Sequence, residues 1–172
     1  MESGLPFDMA YSATTPNGVA APLHVMRMHR DTMSSWSLMP ELLRRIERFC
    51  VDYDSDADAA FLVRLYMAQF TAEEPVYICG VFIEHGEVVG HFMAGLMYWC
   101  GTPAVTIMQF QADVPLPETL VAEGMDLIKE WAWERDPNIN IFQALVSERK
   151  LIEHFRKWGF HTKYALMRHE TS

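Results

Sequence analysis

Basic side chains are scarce in this chain. Fourteen lysines and arginines stand against 23 aspartates and glutamates, a formal net charge of −9 over 172 residues. That balance repels phosphate backbones and anionic membrane surfaces, so general nucleic-acid binding is disfavoured. The local basic clusters, Arg44, Arg45 and Arg48 on one expected helix and Arg149, Lys150, Arg156 and Lys157 on another, read as solvated helix faces. Cysteine is rarer still: Cys50, Cys79 and Cys100 are odd in number and widely spaced, with no CxxC. Such usage argues against a disulfide framework and for reduced, buried thiols in a cytosolic-type compartment. His24, His29, His85, His91, His154, His161 and His169 are scattered, with no HExxH and no Cys/His array, so no metal site is expected. Long apolar runs are missing too. The longest, residues 88–99, is too short and too interrupted by Gly90 and Gly95 to span a bilayer as a helix. The first residues lack the basic region and apolar stretch of a secretory signal. The expectation is a cytoplasmic protein without a membrane partner. GxSxG, Walker and paired-carboxylate patterns are likewise absent.

What is present supports one core. Half the residues are apolar, enough for a single domain of this length. Residues 1–22, with Pro6, Pro16 and Pro22 and no periodicity, read as a flexible or extended arm. The domain proper is then 23–172. Residues 23–29 alternate weakly as a strand. Leu38, Leu42, Ile46 and Phe49 recur at helical spacing, with Ser37 as the cap and Pro40 in the first turn. Asp52 to Asp58 break that helix, and the last of these carboxylates suit the start of the next, whose stripe is read as Phe61, Leu65 and Ala68. Three strands follow, over residues 76–83, 88–98 and 104–111. His85-Gly86 makes a tight turn, and the short connections imply an antiparallel meander. Gly90 and Gly95 suggest a bulge or a close backbone approach. Pro117 and Glu118 open a helix with the core stripe Leu120, Val121, Gly124, Leu127, Ile128 and Trp131. Residues 140–146 form a strand. Leu151, Ile152, Phe155 and Trp158 stripe a helix capped by Gly159, and residues 163–169 close the chain as a strand.

The resulting order is strand, helix, helix, three strands, helix, strand, helix, strand. Gly86-Glu87-Val88-Val89-Gly90 at a strand start, Trp131-Ala132-Trp133-Glu134-Arg135 at a helix end, Phe155-Arg156-Lys157-Trp158-Gly159-Phe160 and the strand Tyr164-Ala165-Leu166-Met167-Arg168 resemble, in order and spacing, the GNAT superfamily of acyl-CoA-dependent N-acyltransferases. The resemblance covers residues 76–169, and more loosely 23–169. It implies an α/β (α+β) fold: a mixed, mainly antiparallel central sheet flanked by helices. It also implies a splay between two central strands, where a pantetheine arm pairs like an extra strand. Pyrophosphate would sit at the following helix N-terminus. By position, Gln111, Ala112, Asp113, Leu116, Glu118, Thr119 and Leu120 would hold acetyl-CoA, mainly through the backbone.

The chain departs from that pattern in three places. Its phosphate turn has no glycine or basic residue, Pro115 and Pro117 each lack an amide donor, and Glu118 brings negative charge. Gly124 is too far into the helix to serve and reads as a close-packing residue. The family's general-acid tyrosine is replaced by Phe155, which leaves His154 as a substitute acid; the glutamate base on the strand is replaced by Gln109 and Gln111, which leaves Glu148, Glu84 or Asp113. Met93, Met97 and Met108 read as core rather than as a ligand groove. Two functions remain. One is acetyl transfer from acetyl-CoA to an unidentified amine, with strand amides stabilising the oxyanion. The other is a catalytically inactive GNAT-fold module that binds a protein partner through its arm and exposed aromatics, a reading that includes a virion-associated phage product. Either admits oligomers.

Overall fold

The computed structural model describes residues 22–53, 58–99, 101–144, 149–157 and 159–160. The expected arm (except Pro22), the closing strand at 163–169, Cys100, Glu148 and Trp158 lie outside the described residues, and for Leu151 and His154 only the backbone is described.

The chain forms β1 (His24–Arg27), α1 (Met33–Tyr53), α2 (Ala59–Thr71), β2 (Tyr77–Glu84), β3 (Glu87–Trp99), β4 (Thr102–Ala112), α3 (Glu118–Trp133), β5 (Phe142–Ala144) and α4 (Arg149–Lys157). The strands lie side by side in sequence order, antiparallel from β1 to β4, with β5 added parallel to β4. His85 and Gly86 both take positive φ, 54° and 83°, as a two-residue turn between twisted strands requires. Helices α1 and α2 cover one face, where Leu42, Ile46, Tyr66 and Phe70 pack on Cys79, Val81, Ile83 and Met93. Helices α3 and α4 cover the other, with Ile128, Trp131 and Phe155 against Phe82, Val105 and Ile107.

Several expectations are corrected. Met97, read as core, is 44% exposed near the end of β3. α1 begins at Met33 rather than beside Ser37, which puts Pro40 inside the helix. The preceding turn explains the earlier start. Thr32 Oγ1 donates to the His29 carbonyl, Ser35 Oγ accepts from His29 N at 2.8 Å, and Trp36 Nε1 donates to the Arg30 carbonyl. These bonds knit the entry turn firmly enough for the helix to run through a residue with no N–H to donate. In α2 the buried stripe is Tyr66 and Phe70, with Leu62, Val63 and Met67 partly buried; Phe61 is 52% exposed. Phe61, Leu62 and Val63 are consecutive apolar residues, so periodicity alone could not fix which of them faces inward. Asp58 does cap α2, accepting from Phe61 N at 2.8 Å. Gly124 is buried as expected, but a Cβ there would lie 3.5 Å from the Phe92 ring and 3.6 Å from that of Phe82. That is ordinary contact, so packing does not demand glycine. Gly159 ends α4 at φ +87°, the left-handed cap position.

Two bulges shape the sheet centre. Val89 is skipped between the pairs Ile83↔Val88 and Phe82↔Gly90. Met108 is skipped between Ala94↔Ile107 and Met93↔Gln109. The second bulge matters for the site.

Candidate functional site at the β4–β5 fork

On its β3 side, β4 is paired as far as Ala112, and Asp113 N continues the contact to the Val89 carbonyl at 2.8 Å. On its β5 side, among the described residues, it pairs at Val105, Thr106 and Ile107 with Phe142, Gln143 and Ala144. Val105 N donates to the Ile141 carbonyl at 2.9 Å, and Gln143 Nε2 to Thr106 Oγ1 at 2.8 Å. Among the described residues, β4 from 108 to 112 therefore has no ladder partner on that edge. An unpaired edge of N–H and C=O groups inside a domain is a template for an extended, amide-bearing ligand.

The bulge decides which side chains meet this edge. Val105 and Ile107 point into the α3 side of the core, and so does Phe110. The parity changes between 107 and 110, because an extra residue in one strand turns the rest over. Gln109 and Gln111 are thereby placed beneath α1. Gln109 is buried, and its Oε1 lies 3.1 Å from His91 Nε2. An amide oxygen only accepts, so Nε2 carries the proton. His91 Nδ1 and Gln111 Oε1 are buried with no hydrogen-bond partner among the described residues. Phe49 of α1 stands edge-on to the His91 ring at 6.2 Å. Burial pushes the His91 imidazole down to about 4; Gln109 opposes that shift, Arg45 adds to it and Asp113 opposes it. The ring is neutral near neutral pH and sealed from solvent.

The cofactor candidates divide. Gln111 and Ala112 lie on the open edge and are half-buried, and Glu118 and Thr119 are exposed at the mouth of α3. Leu120 is buried in the core and Leu116 packs against it, so these two can contribute backbone only. Asp113 is turned to α1, where Arg45 Nη2 meets its Oδ2 at 2.7 Å and also donates to the Val88 carbonyl. Arg45, expected as part of a solvated face, is instead drawn inward, its side chain only 12% exposed. α3 takes no side-chain cap from Pro117, and its first bonds run from Leu120 and Val121 to the Pro117 carbonyl. The Glu118 and Thr119 amides stand at the helix mouth, where an anion is attracted; the Glu118 carboxylate occupies the same turn.

Phe155 is 4% exposed and packs edge-on against Phe110 at 6.1 Å and Phe160 at 5.0 Å. It sits beside the open stretch of β4 as an apolar wall. Of the acid and base candidates, Glu148 and the His154 side chain lie outside the described atoms, Asp113 is held by Arg45, and Glu84 ends β2. Among the described residues no three His, Cys, Asp or Glu side chains gather as metal ligands, and no helix is long and apolar enough to cross a membrane.

No protein-family model and no curated protein matches this chain. Solved structures do. A predicted acetyltransferase with acetyl-CoA from Clostridium acetobutylicum superposes with a TM-score of 0.63 at 13% identity, over 86% of this chain and 96% of that one. An aminoglycoside acetyltransferase from an uncultured soil metagenomic sample gives 0.60 at 15% identity, over 88% and 100%. AAC(6')-Iy, in complex with the bisubstrate analogue CoA-S-monomethyl-acetylneamine, gives 0.61 at 12% identity, over 88% and 99%. The fold is that of the GNAT acetyltransferases, in a divergent version.

Proposed function

We propose that this chain is an acyl-CoA-dependent N-acyltransferase that moves an acetyl group from acetyl-CoA to an amine. The observation that carries the reading is the fork: among the described residues, β4 continues through residues 108–112 beyond its last pair with β5, Ile107↔Ala144. The residues present suit a pantetheine arm along that edge better than they suit a pyrophosphate. The α3 mouth offers the Glu118 and Thr119 amides, but also the Glu118 carboxylate and the donor-less Pro117. Acetyl-CoA supplies an activated thioester carbonyl. The chain's part is to align that carbonyl on the β4 edge and to exclude water with Phe110 and Phe155. Proton transfer is not supplied by any described side chain here. Phe155 has no proton to give, Gln109 and Gln111 are amides, and His91 is neutral and buried. The acceptor enters as the free amine: its nitrogen bonds to the acyl carbon as the carbon–sulfur bond breaks, CoA leaves as its thiolate, and the proton shed by the nitrogen passes to that thiolate directly or through water. Net charge −9 and the aminoglycoside acetyltransferases among the structural neighbours make polycationic amines the first acceptors to try. Calorimetry with acetyl-CoA, followed by thiol release with sisomicin and with spermidine at an alkaline pH where a part of each is the free amine, tests the reading. Micromolar to submillimolar binding supports it; no heat at millimolar acetyl-CoA refutes it.

One set of observations favours a second reading. Phe155 is locked in an aromatic stack, and Trp36, Phe61, Tyr98 and Trp133 are each more than 40% exposed. They suit a non-catalytic module that engages a protein, with residues 1–22 docking along it. Pull-down yields unchanged by deleting 1–22 would refute a docking arm.

A further inference from the structure

The β3–β4 hairpin runs past its neighbours at the end of β4 away from the fork. β2 pairs with β3 no further than Tyr77↔Gly95, and the Val76 carbonyl adds one bond, accepting from Leu96 N at 2.9 Å. The Val76 N–H turns elsewhere, to Gln69 Oε1 at 2.9 Å, which draws the chain off the sheet. On the other side the first β4–β5 pair is Val105↔Phe142, with Val105 N donating to the Ile141 carbonyl. β3 and β4 go on pairing with each other to Trp99↔Thr102. Among the described residues, 97–99 and 102–104 therefore form a two-stranded ribbon whose outer edges are both uncovered.

The two edges differ. Backbone groups two residues apart on a strand face the same way. Pro103 is in phase with Val105, so the outward side of β4 lacks a donor there, a common guard of an exposed edge. Tyr98 is in phase with Leu96, so its N–H and C=O both face outward from β3, and no described residue bonds to them on that side. Charge, the other usual guard, is missing: no Asp, Glu, Lys or Arg stands from Val88 to Ala112. The ribbon carries exposed apolar side chains instead, with Tyr98 73% and Met97 44% exposed, and Val76 and Ile141 flank its base. Such an edge is a template for another strand. The net charge favours one kind of partner surface. Two copies of a chain at −9 repel, and they meet at least cost where neither brings charge. An antiparallel edge is also its own complement about a two-fold axis.

We propose that the β3 edge at Tyr98 is a docking surface for a second copy of this chain, the two ribbons pairing antiparallel about a two-fold axis, with the Tyr98 N–H of each donating to the Tyr98 carbonyl of the other. The fork lies at the other end of β4, so the proposal is independent of acetyl transfer. Sedimentation of the full chain tests it, with reductant present so that Cys100 cannot cross-link copies. A dimer is expected at about 100 µM that dissociates toward about 1 µM, as suits a contact at the small end of the specific range. Raising sodium chloride from about 50 to about 500 mM should leave the dimer intact or tighten it, because salt screens the repulsion between like-charged bodies. Tyr98→Lys places like charges opposite one another across the axis and should weaken association about tenfold or more. Phe61→Lys adds the same charge at an exposed position on α2 and should leave association unchanged. Both substitutions fall on exposed side chains, and thermal unfolding checks that each variant folds. A monomer at the higher concentration, a dimer that falls apart as salt rises, or equal association of Tyr98→Lys with wild type or with Phe61→Lys overturns the proposal.

Discussion

Replacing His91 by glutamine should remove a large part of the acid sensitivity of the fold. His91 is fully buried between α1 and the sheet, and its imidazole is pushed from 6.5 to about 4, chiefly by burial. The unfolded chain therefore binds a proton that the folded chain refuses between these values. Because the unfolded state holds more protons there, stability rises with pH from about 4 to 6.5 and levels off above. The gap at about 1.4 kcal/mol per pH unit amounts to about 3 kcal/mol in all, of which about 2 kcal/mol falls between pH 7 and pH 5. Glutamine keeps a donor for Gln109 Oε1 but cannot titrate. Urea unfolding of both proteins at pH 7, 6 and 5 isolates the effect, since the carboxylates and the other six histidines are common to both. With a slope of about 2 kcal/mol per molar urea, the wild-type midpoint should fall by about 1 M more than that of His91→Gln. Parallel midpoints, within about 0.2 M over that range, would refute the assignment of His91 as a neutral, sealed group.

Three other outcomes are expected. A Cβ on Gly90 would lie 2.6 Å from the Gln111 carbonyl oxygen and 3.0 Å from Ala112 Cα. Gly90→Ala should thus cost about 2 kcal/mol by forcing β3 from β4, whereas Gly124→Ala should be neutral or stabilise by up to about 1 kcal/mol; chemical denaturation ranks the two. Glu118→Gln removes a negative charge from the α3 mouth, and at about 6 Å in water-like surroundings acetyl-CoA should bind roughly threefold tighter, read by calorimetry at low salt. The rate of acetyl transfer should climb with pH in step with the acceptor's own deprotonation, and two amines of different pKa should give correspondingly displaced profiles. A bell-shaped profile common to both would instead reveal a protein acid or base.

The fold was legible where sequence pattern and physical requirement coincide. His85-Gly86, Gly90 and Gly159 each announce a backbone geometry that few other residues tolerate, and all three sit where that geometry is needed. The α3 stripe from Leu120 to Trp131 was readable because polar residues separate its apolar ones. α2 was not, since Phe61, Leu62 and Val63 offer no such contrast, and the start of α1 depended on side-chain bonds from Thr32 and Ser35 that periodicity does not register. At the site, Gln109 and Gln111 stood out as polar residues in an apolar strand, but their pairing with α1 depends on the Met108 bulge, and a one-residue bulge leaves no mark in composition. His91 could only be read as a residue near a turn until the register put it opposite Gln111 and diagonal to Gln109.

These failures share a cause that bears on function. On the proposed reading, the backbone parts of the fork survive any sequence that keeps the β4 bulge and the pairing of β5 with Val105–Ile107, and both are present. The side-chain parts that the family resemblance implies, a basic or glycine-rich turn and a tyrosine hydroxyl, require particular residues, and the positions that the resemblance assigns to them hold residues with a structural use. Phe155 joins the Phe110–Phe160 stack, and Leu120 enters the core beneath α3. On that reading, proton transfer and phosphate affinity would be lost before the ability to align a thioester. If the chain transfers acetyl groups, its dependence on acetyl-CoA should therefore be weak in binding and its acceptors should be amines already nucleophilic without assistance. Efficient transfer to an amine that is almost wholly protonated at the assay pH would require a base that none of the described residues at the fork provides.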